Sequence, residues 1–172
     1  MGLDMYAYTL RKDLAPEQAV DVSLQSLVLR HLGGAEFTDQ LEELEELSYN
    51  DPRRVEWRNK QHELLKKAAD EGLLNQEFAY WRKFNHLHGW METLYYKKSG
   101  QNDSFNLSTV RLDKEDLEQL LQEASGLVPT KGFFFGSYEP MEPSDVAEVA
   151  RFVAKALQAI EDGFVVYYDS WW

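Results

Sequence analysis

Apolar and polar residues alternate along residues 3–10 (LDMYAYTL), which is the two-residue period of a β-strand. This segment is also rich in aromatic side chains, as strands often are. The C-terminal segment, residues 164–172, carries large aromatic side chains on both of its faces. We predict strands at residues 3–10, 105–112, 133–137 and 164–172.

Apolar residues spaced three and four apart indicate helices. The longest such stripe consists of Tyr80, Phe84, Leu87, Met91 and Leu94, and it predicts a single helix over residues 75–98. That helix would carry most of the polar-aromatic side chains in the middle of the chain.

Several helix ends have clear sequence signals. Asp51 followed by Pro52 is typical of an N-cap and a first helical turn, and Asp145 with Glu148 has the spacing of a capping box. Glycine pairs and single glycines mark the ends of other helices. The predicted helices cover residues 17–32, 37–47, 52–70, 75–98, 113–126 and 145–162.

Helices and strands follow one another without a regular strand–helix–strand repeat, and no linker or internal repeat divides the 172 residues. We therefore predict a single domain, residues 1–172, of the α+β class. It would contain a small, largely antiparallel sheet of three or four strands covered by several α-helices.

The net charge of −12 is distributed unevenly along the chain. Residues 1–51 and 99–172 each have a net charge of −8, whereas residues 52–98 have a net charge of +4. Residues 36–51 contain seven acids and no base, and residues 53–67 contain six bases and two acids. Either two neighbouring helices have complementary solvated faces, or an acidic stripe is offered to a basic partner.

Several classes of protein are excluded or disfavoured. The chain has no cysteine, so disulfides, thiolate metal sites and cysteine nucleophiles are excluded. It has no glycine-rich phosphate loop, no GxSxG motif and no HExxH motif, and we expect no cofactor. No apolar run approaches the roughly 20 residues of a membrane span, so we expect no membrane association. An acidic chain is also ill suited to direct nucleic-acid binding.

The segment YWRKFNHLHGW, residues 80–90, holds the densest set of chemically useful side chains. Indoles, cationic groups, an amide and imidazoles could bind a small anionic or planar ligand. Alternatively, the tryptophans anchor the helix to the sheet. We expect no metal site, because His86 and His88 would point about 200° apart on a helix. The candidate ligand-binding residues here are Trp81, Arg82, Lys83, Asn85, His86, His88 and Trp90.

Two predicted strands add polar-aromatic candidates. Asp4 and Tyr6 share one face of the first strand, while Tyr168 and Asp169 lie in the last. Aromatics on both faces of a strand indicate either a central strand covered on both sides or a strand that lines a cleft. Arg82 is the best candidate for an anion contact, unless it pairs with Asp4 or Asp169 and ties the helix to the sheet.

Four blocks of the sequence resemble a family of small bacteriophage and prophage proteins: MGLDMY, YWRKFNHLHGW, GFFFGSYE and VVYYDSWW. The family's WRKxNxIHxW pattern is matched except at Leu87, which stands in place of isoleucine. The family often closes with a glutamine before the serine pair, and Asp169 departs from that pattern. The resemblance implies a shared fold and a place in the cytoplasm of a bacterial host, but no reaction.

Two functions from different classes follow. The first is a non-catalytic protein that binds a ligand or a host protein during infection, as an accessory or interference protein. The alternative is a small enzyme in which His88 or His86 is the general base and Arg82 or Lys83 holds an anionic substrate. The chain carries no recognised activated nucleophile, which favours the first. Sequence patterns assign neither an oligomeric state nor any catalytic residue.

Overall fold

A computed structural model describes residues 2–132, 135–136 and 139–172. Within these residues the chain forms four β-strands and six α-helices, with short 3-10 turns at Lys12–Leu14 and Ala124–Gly126. The elements are β1 (Asp4–Arg11), α1 (Leu24–Gly33), α2 (Ala35–Glu45), α3 (Pro52–Asp70), β2 (Leu74–Arg82), α4 (Asn85–Lys97), β3 (Val110–Leu112), α5 (Lys114–Glu123), α6 (Pro143–Glu161) and β4 (Phe164–Trp171).

The strands form one antiparallel sheet in the order β2-β1-β4-β3. β1 and β4, from opposite ends of the chain, pair along their full lengths from Asp4 opposite Trp171 to Arg11 opposite Phe164. The two central strands are therefore the first and the last strand of the chain. The predicted α+β class with a small antiparallel sheet is confirmed.

The main hydrophobic core lies on the sheet face that carries Leu3, Met5 and Ala7. Alternate residues of a strand point to the same side, so these three pack together against helices α4, α5 and α6. Tyr168 of β4 belongs to this core and is fully buried.

A second, smaller core lies on the opposite face. Leu10 and Tyr167 pack there against Val28 of α1 and Ala68 of α3. This core covers only the end of the sheet where β1 finishes and β4 begins. The other end of that face, with Asp4 and Tyr6, has no helix among its core contacts.

The single helix predicted over residues 75–98 is wrong. Residues 74–82 form strand β2, which pairs with β1, and α4 begins only at Asn85. Lys83 ends the strand in a left-handed conformation (φ 58°). Leu87, Met91 and Leu94 of the apolar stripe do lie in α4 and are buried. Tyr80 instead pairs with Tyr6 in the sheet and is 54% exposed, because strand pairing overrides the helical spacing there.

Two other boundaries also differ. α1 begins at Leu24 rather than near residue 17, because residues 15–22 run beside β3, where Arg111 N donates to Ala19 O at 2.7 Å. The predicted strand over residues 105–112 shortens to Val110–Leu112, and the residues before it are irregular.

The predicted strand over residues 133–137 rests mainly on residues outside the described part. At α6, the capping box joins Glu142 to Asp145 rather than Asp145 to Glu148, because Pro143 takes the first helical position. The predicted cap at Asp51 is confirmed, since its side chain accepts from Arg53 N at 3.0 Å.

The acidic and basic segments form the neighbouring helices α2 and α3. Their contact is aromatic: Phe37 stacks on Trp57 at 5.0 Å, and the indole of Trp57 donates to Phe37 O at 2.9 Å. The ion pairs of α3 instead involve Asp51 and Glu71, at its two ends. The side chains of Glu36, Asp39 and Glu43 on α2 are exposed to solvent.

Candidate functional site

The sheet separates the predicted site residues into two groups. Asp4, Tyr6, Arg82 and Asp169 belong to the partly uncovered face. On the opposite side, packed into or against the main core, are Trp81, Asn85, His86, His88, Trp90 and Tyr168. Lys83 is exposed just after β2. Because α4 lies behind the sheet, it cannot meet the strand face that carries Asp4 and Tyr6, as one cleft would require.

His88 is part of the hydrophobic core. Its side chain is 1% exposed, its ring stacks on Phe105 at 5.4 Å, and its Nδ1 lies 2.9 Å from the hydroxyl of Tyr168. Burial lowers the pKa of His88 to about 4, so the ring is neutral at pH 7. A general base must reach its substrate, and this imidazole is enclosed by aromatic rings.

His86 and Asn85 lie in the first turn of α4 and are also buried. The amide of Asn85 donates to Thr130 O over a long 3.4 Å, which connects α4 to the segment after α5. The Nε2 atom of His86 has no hydrogen-bond partner in the described part of the chain. Neither residue lines the cavity described below.

The two tryptophans of the YWRKFNHLHGW segment anchor neighbouring helices. The indole of Trp81 donates to Glu148 of α6 at 3.1 Å, and the indole of Trp90 donates to Glu123 of α5 at 2.7 Å. Trp81 also packs edge-on against Phe152 at 4.8 Å. Both contacts are structural, but they differ from the anchoring alternative drawn from the sequence: Trp81 joins the sheet to α6, and Trp90 joins α4 to α5 rather than to the sheet.

The uncovered end of the sheet forms what we call the open face: Asp4, Tyr6, Tyr80, Arg82 and Trp171. Tyr80 and Trp171 are 54% and 52% exposed, unusually high values for large aromatics on a sheet. The hydroxyl of Tyr80 donates to Asp4 Oδ1 at 2.6 Å, and its ring lies 5.3 Å from that of Tyr6. Arg82 Nε is 3.9 Å from the same carboxylate oxygen, a loose ion pair in which the arginine is exposed and the Asp4 side chain is only 13% exposed.

A cavity of about 370 Å³ adjoins the open face. Tyr8, which stacks on Tyr6 at 6.1 Å, and Asp169, which pairs with Tyr6 across the sheet, form one of its walls. The opposite wall consists of the segment before α1 and the loop before β3, including Asp21 and Asn102.

Asp169 is a partly buried carboxyl group without an ion pair among the described residues. Its Oδ1 accepts a hydrogen bond from the backbone of Ser170 at 2.7 Å. Desolvation by burial nevertheless raises the pKa of Asp169 to about 6. Burial of the Tyr8 hydroxyl, together with the negative charge of Asp169, raises the pKa of Tyr8 well above its ordinary value.

Sequence reasoning found part of this region. It assigned Asp4, Tyr6 and Asp169 from strand alternation, and the same alternation extends to Tyr8. It missed Tyr80, because the helical stripe placed that residue in an apolar core. Asp21 and Asn102 carry no local signal, since only the folded loops bring them to the cavity.

The opposing pKa shifts of Asp169 and His88 predict how stability depends on pH. The ordinary pKa of Asp169 is 3.8, so its burial penalty at pH 7 disappears as the pH falls from about 6 to 4. His88 acts in the other direction, because the unfolded imidazole takes up a proton below its ordinary pKa of 6.5 while the folded one stays neutral to about 4.

We therefore expect Asp169→Asn to raise the free energy of unfolding at pH 7 by about 2 kcal/mol, with little gain at pH 4. Between pH 6.5 and 4, protonation of His88 in the unfolded state destabilises both proteins, but only the parent regains stability as Asp169 becomes protonated. The variant should therefore lose stability more steeply than the parent over this range. Urea unfolding across pH 4–8 measures both effects, with Asp39→Asn on exposed α2 as the control. If Asp169→Asn changes the free energy of unfolding by the same amount at pH 4 and at pH 7, the prediction that burial raises the pKa of Asp169 is wrong.

No helix of the described residues is long and apolar enough to cross a membrane. Within the same residues, no three His, Asp or Glu side chains are grouped so that they could hold a metal ion. Searches with the chain against protein-family models, curated proteins and solved structures found no significant match. The resemblance to phage proteins therefore stays a prediction.

Proposed function

We propose that this protein is a non-catalytic binding protein of phage type, which acts in the bacterial cytoplasm and holds a basic surface of a host protein on the open face. The observation that carries the proposal is the pair of half-exposed aromatic rings, Tyr80 and Trp171, at the uncovered end of an otherwise covered sheet. Aromatic residues of this kind dominate the energetics of protein interfaces.

The open face is ordered by its own contacts before any partner binds. Tyr80 is held by its hydrogen bond to Asp4 and by the ring of Tyr6, which itself stacks on Tyr8. These side chains lose little conformational freedom on binding, and less lost freedom means higher affinity for a given contact area.

Charge favours a basic partner. β1 and β4 belong to the two chain segments that each have a net charge of −8, whereas β2, which supplies Arg82, belongs to the segment with a net charge of +4; the whole chain has a net charge of −12. On the open face Arg82 is the only base and lies near Asp4, while neighbouring Asp169 has no cation beside it. Lysine and arginine side chains of a partner would complement these carboxylates and speed association.

The enzyme alternative has weaker support. His88 is enclosed in the core, and its low pKa leaves it neutral without giving it access to a substrate. Arg82 lies on the open face and Lys83 is exposed just after β2, whereas His88 is buried on the other side of the sheet. A base and an anion-binding group do not face one cleft here.

The test compares two double variants in affinity capture from a host lysate, followed by carbodiimide cross-linking. We expect Tyr80→Ser with Trp171→Ser to reduce capture of a specific host protein about tenfold or more, since central aromatics carry most interface energy. In the parent, cross-links should join Asp4 or Asp169 to partner lysines.

The matched control is Tyr49→Ser with Val128→Ser, two residues that are 68% and 78% exposed and lie outside the open face. This control variant should still capture the host protein and form the same cross-links to it. Equal capture by the two double variants, or cross-links only to acids elsewhere, would contradict the proposal.

A further inference from the structure

The cavity beside the open face has the dimensions of a small-molecule site. Its volume of about 370 Å³ falls within the usual range of ligand pockets. Val22, Leu24 and Leu74 supply apolar wall, while more than half of the lining residues are polar, among them Asp21, Asp169 and Asn102. Most ligand pockets are more apolar than this, so the cavity suits a ligand that is charged as well as partly apolar.

One wall of the cavity is held in place by hydrogen bonds to the rest of the protein. The hydroxyl of Tyr95, a fully buried residue of α4, donates to both carboxylate oxygens of Asp21 at 3.1 and 2.9 Å. The amide of Asn102 donates to the same carboxylate at 3.1 Å. Thr109 Oγ1 accepts from Val22 N at 2.7 Å, which joins the two loops. This wall needs little rearrangement to receive a ligand.

The charge of the cavity selects the class of ligand. Two carboxylates, Asp21 and Asp169, line it, and none of the described lining residues is Lys, Arg or His. Asp21 is exposed to solvent and accepts its hydrogen bonds from neutral groups, so none of the described cations is paired with it. The ring of Tyr8 adds an aromatic surface next to Asp169. Carboxylates beside an aromatic ring are the usual environment for an organic cation in proteins.

We propose that this cavity binds a compact organic cation of the alkylammonium class. Its positive nitrogen would lie near the carboxylates of Asp169 and Asp21, with its alkyl groups on Tyr8 and the aliphatic wall. Such a cation would also compensate the burial of Asp169, whose raised pKa reflects a carboxyl group without a partner. This ligand site is an addition to the proposed partner surface. The two share Asp169, but Tyr80 and Trp171 belong to the surface alone and Asp21 to the cavity alone, so either proposal can fail without the other.

The test uses choline as the probe and its uncharged carbon isostere, 3,3-dimethylbutanol, as the chemical control. Isothermal titration calorimetry at pH 7.5 and constant ionic strength should show binding of choline with a dissociation constant of about 1 mM or below. The neutral isostere should bind at least about tenfold more weakly, because it lacks the charge.

Asp169→Asn and Asp21→Asn should each weaken choline binding about tenfold, whereas Asp39→Asn on exposed α2 should leave it unchanged. Retained far-ultraviolet circular dichroism in all three variants excludes unfolding as the cause. Equal affinities for choline and its isostere, unchanged binding in both cavity variants, or no choline binding at 10-fold higher concentration (about 10 mM) would each overturn the proposal. Displacement of choline by Ca²⁺ but not by other alkylammonium ions would identify a metal site instead and overturn it as well.

Discussion

Deletion of Tyr167–Trp172 is expected to abolish the folded state. These residues form most of β4, which lies between β1 and β3, so their loss removes hydrogen-bonding partners from two other strands. Tyr167 and Tyr168 are both fully buried, one in each hydrophobic core. The deletion therefore opens both cores at once.

The expected loss is comparable with the stability of the whole domain. Burial of one large side chain stabilises a protein by about 2–3 kcal/mol, and a domain unfolds at a cost of about 5–15 kcal/mol. Two buried tyrosines and the broken strand pairing together approach that total. Circular dichroism and limited proteolysis of the truncated chain measure the outcome.

The matched control is Trp171→Ser, which changes the same strand at a side chain that is 52% exposed. It should keep the fold and lower the melting temperature only slightly. A truncated chain that still melts cooperatively at the parental temperature would show that β4 is dispensable.

Lys98→Met is expected to destabilise the protein by about 3 kcal/mol, because it leaves partly buried acids without their cation. The Lys98 ammonium donates to Asp113 at 2.7 Å, to the carboxylate of Asp116 and to the backbone oxygen of Arg111 at 2.8 Å. The side chains of Lys98 and Asp116 are only 15% and 12% exposed.

This cluster joins α4 to β3 and to the start of α5. Burial by itself would raise the pKa of Asp113, but the hydrogen bond and charge of Lys98, together with Arg111, hold that pKa below its ordinary value. Methionine preserves most of the aliphatic stem of lysine, so the variant tests the charge rather than the packing.

The control is Lys97→Met, one residue earlier on α4, where the lysine side chain is exposed. It should change the free energy of unfolding by less than about 0.5 kcal/mol. Chemical denaturation at low and high salt measures both variants. If both substitutions lower the free energy of unfolding by similarly small amounts, the ion pairs of Lys98 do not stabilise the fold.

Sequence reasoning located most elements because their signals are local. Asp51 and Pro52 begin α3 as predicted, and the alternation in residues 3–10 corresponds to β1. The failure at residues 75–82 has a physical cause. The helical spacing of Leu87, Met91 and Leu94 continues back to Tyr80, and only the pairing of residues 74–82 with β1 makes that part of the chain a strand.

The strand at residues 74–82 also divides the candidate site that the sequence predicted. Once residues 74–82 form a strand, Arg82 lies on the open face while His88 points into the core. A site built on one continuous helix therefore becomes two environments on opposite sides of a sheet.

Residue composition and short periods, which act within a few residues, are enough to predict the class of fold, the acidic charge, the absence of cysteine chemistry and the aromatic character of the first and last strands. Which aromatic faces are covered, and which acids meet in a cavity, depends instead on how the helices and strands pack together. The open face exists because α1 and α3 reach one end of the sheet and not the other, and the cavity exists because Asp21 and Asn102 are joined through Tyr95. The contacts of Asp21 with Tyr95 and with Asn102 span 74 and 81 residues of chain, a separation over which local patterns carry no information.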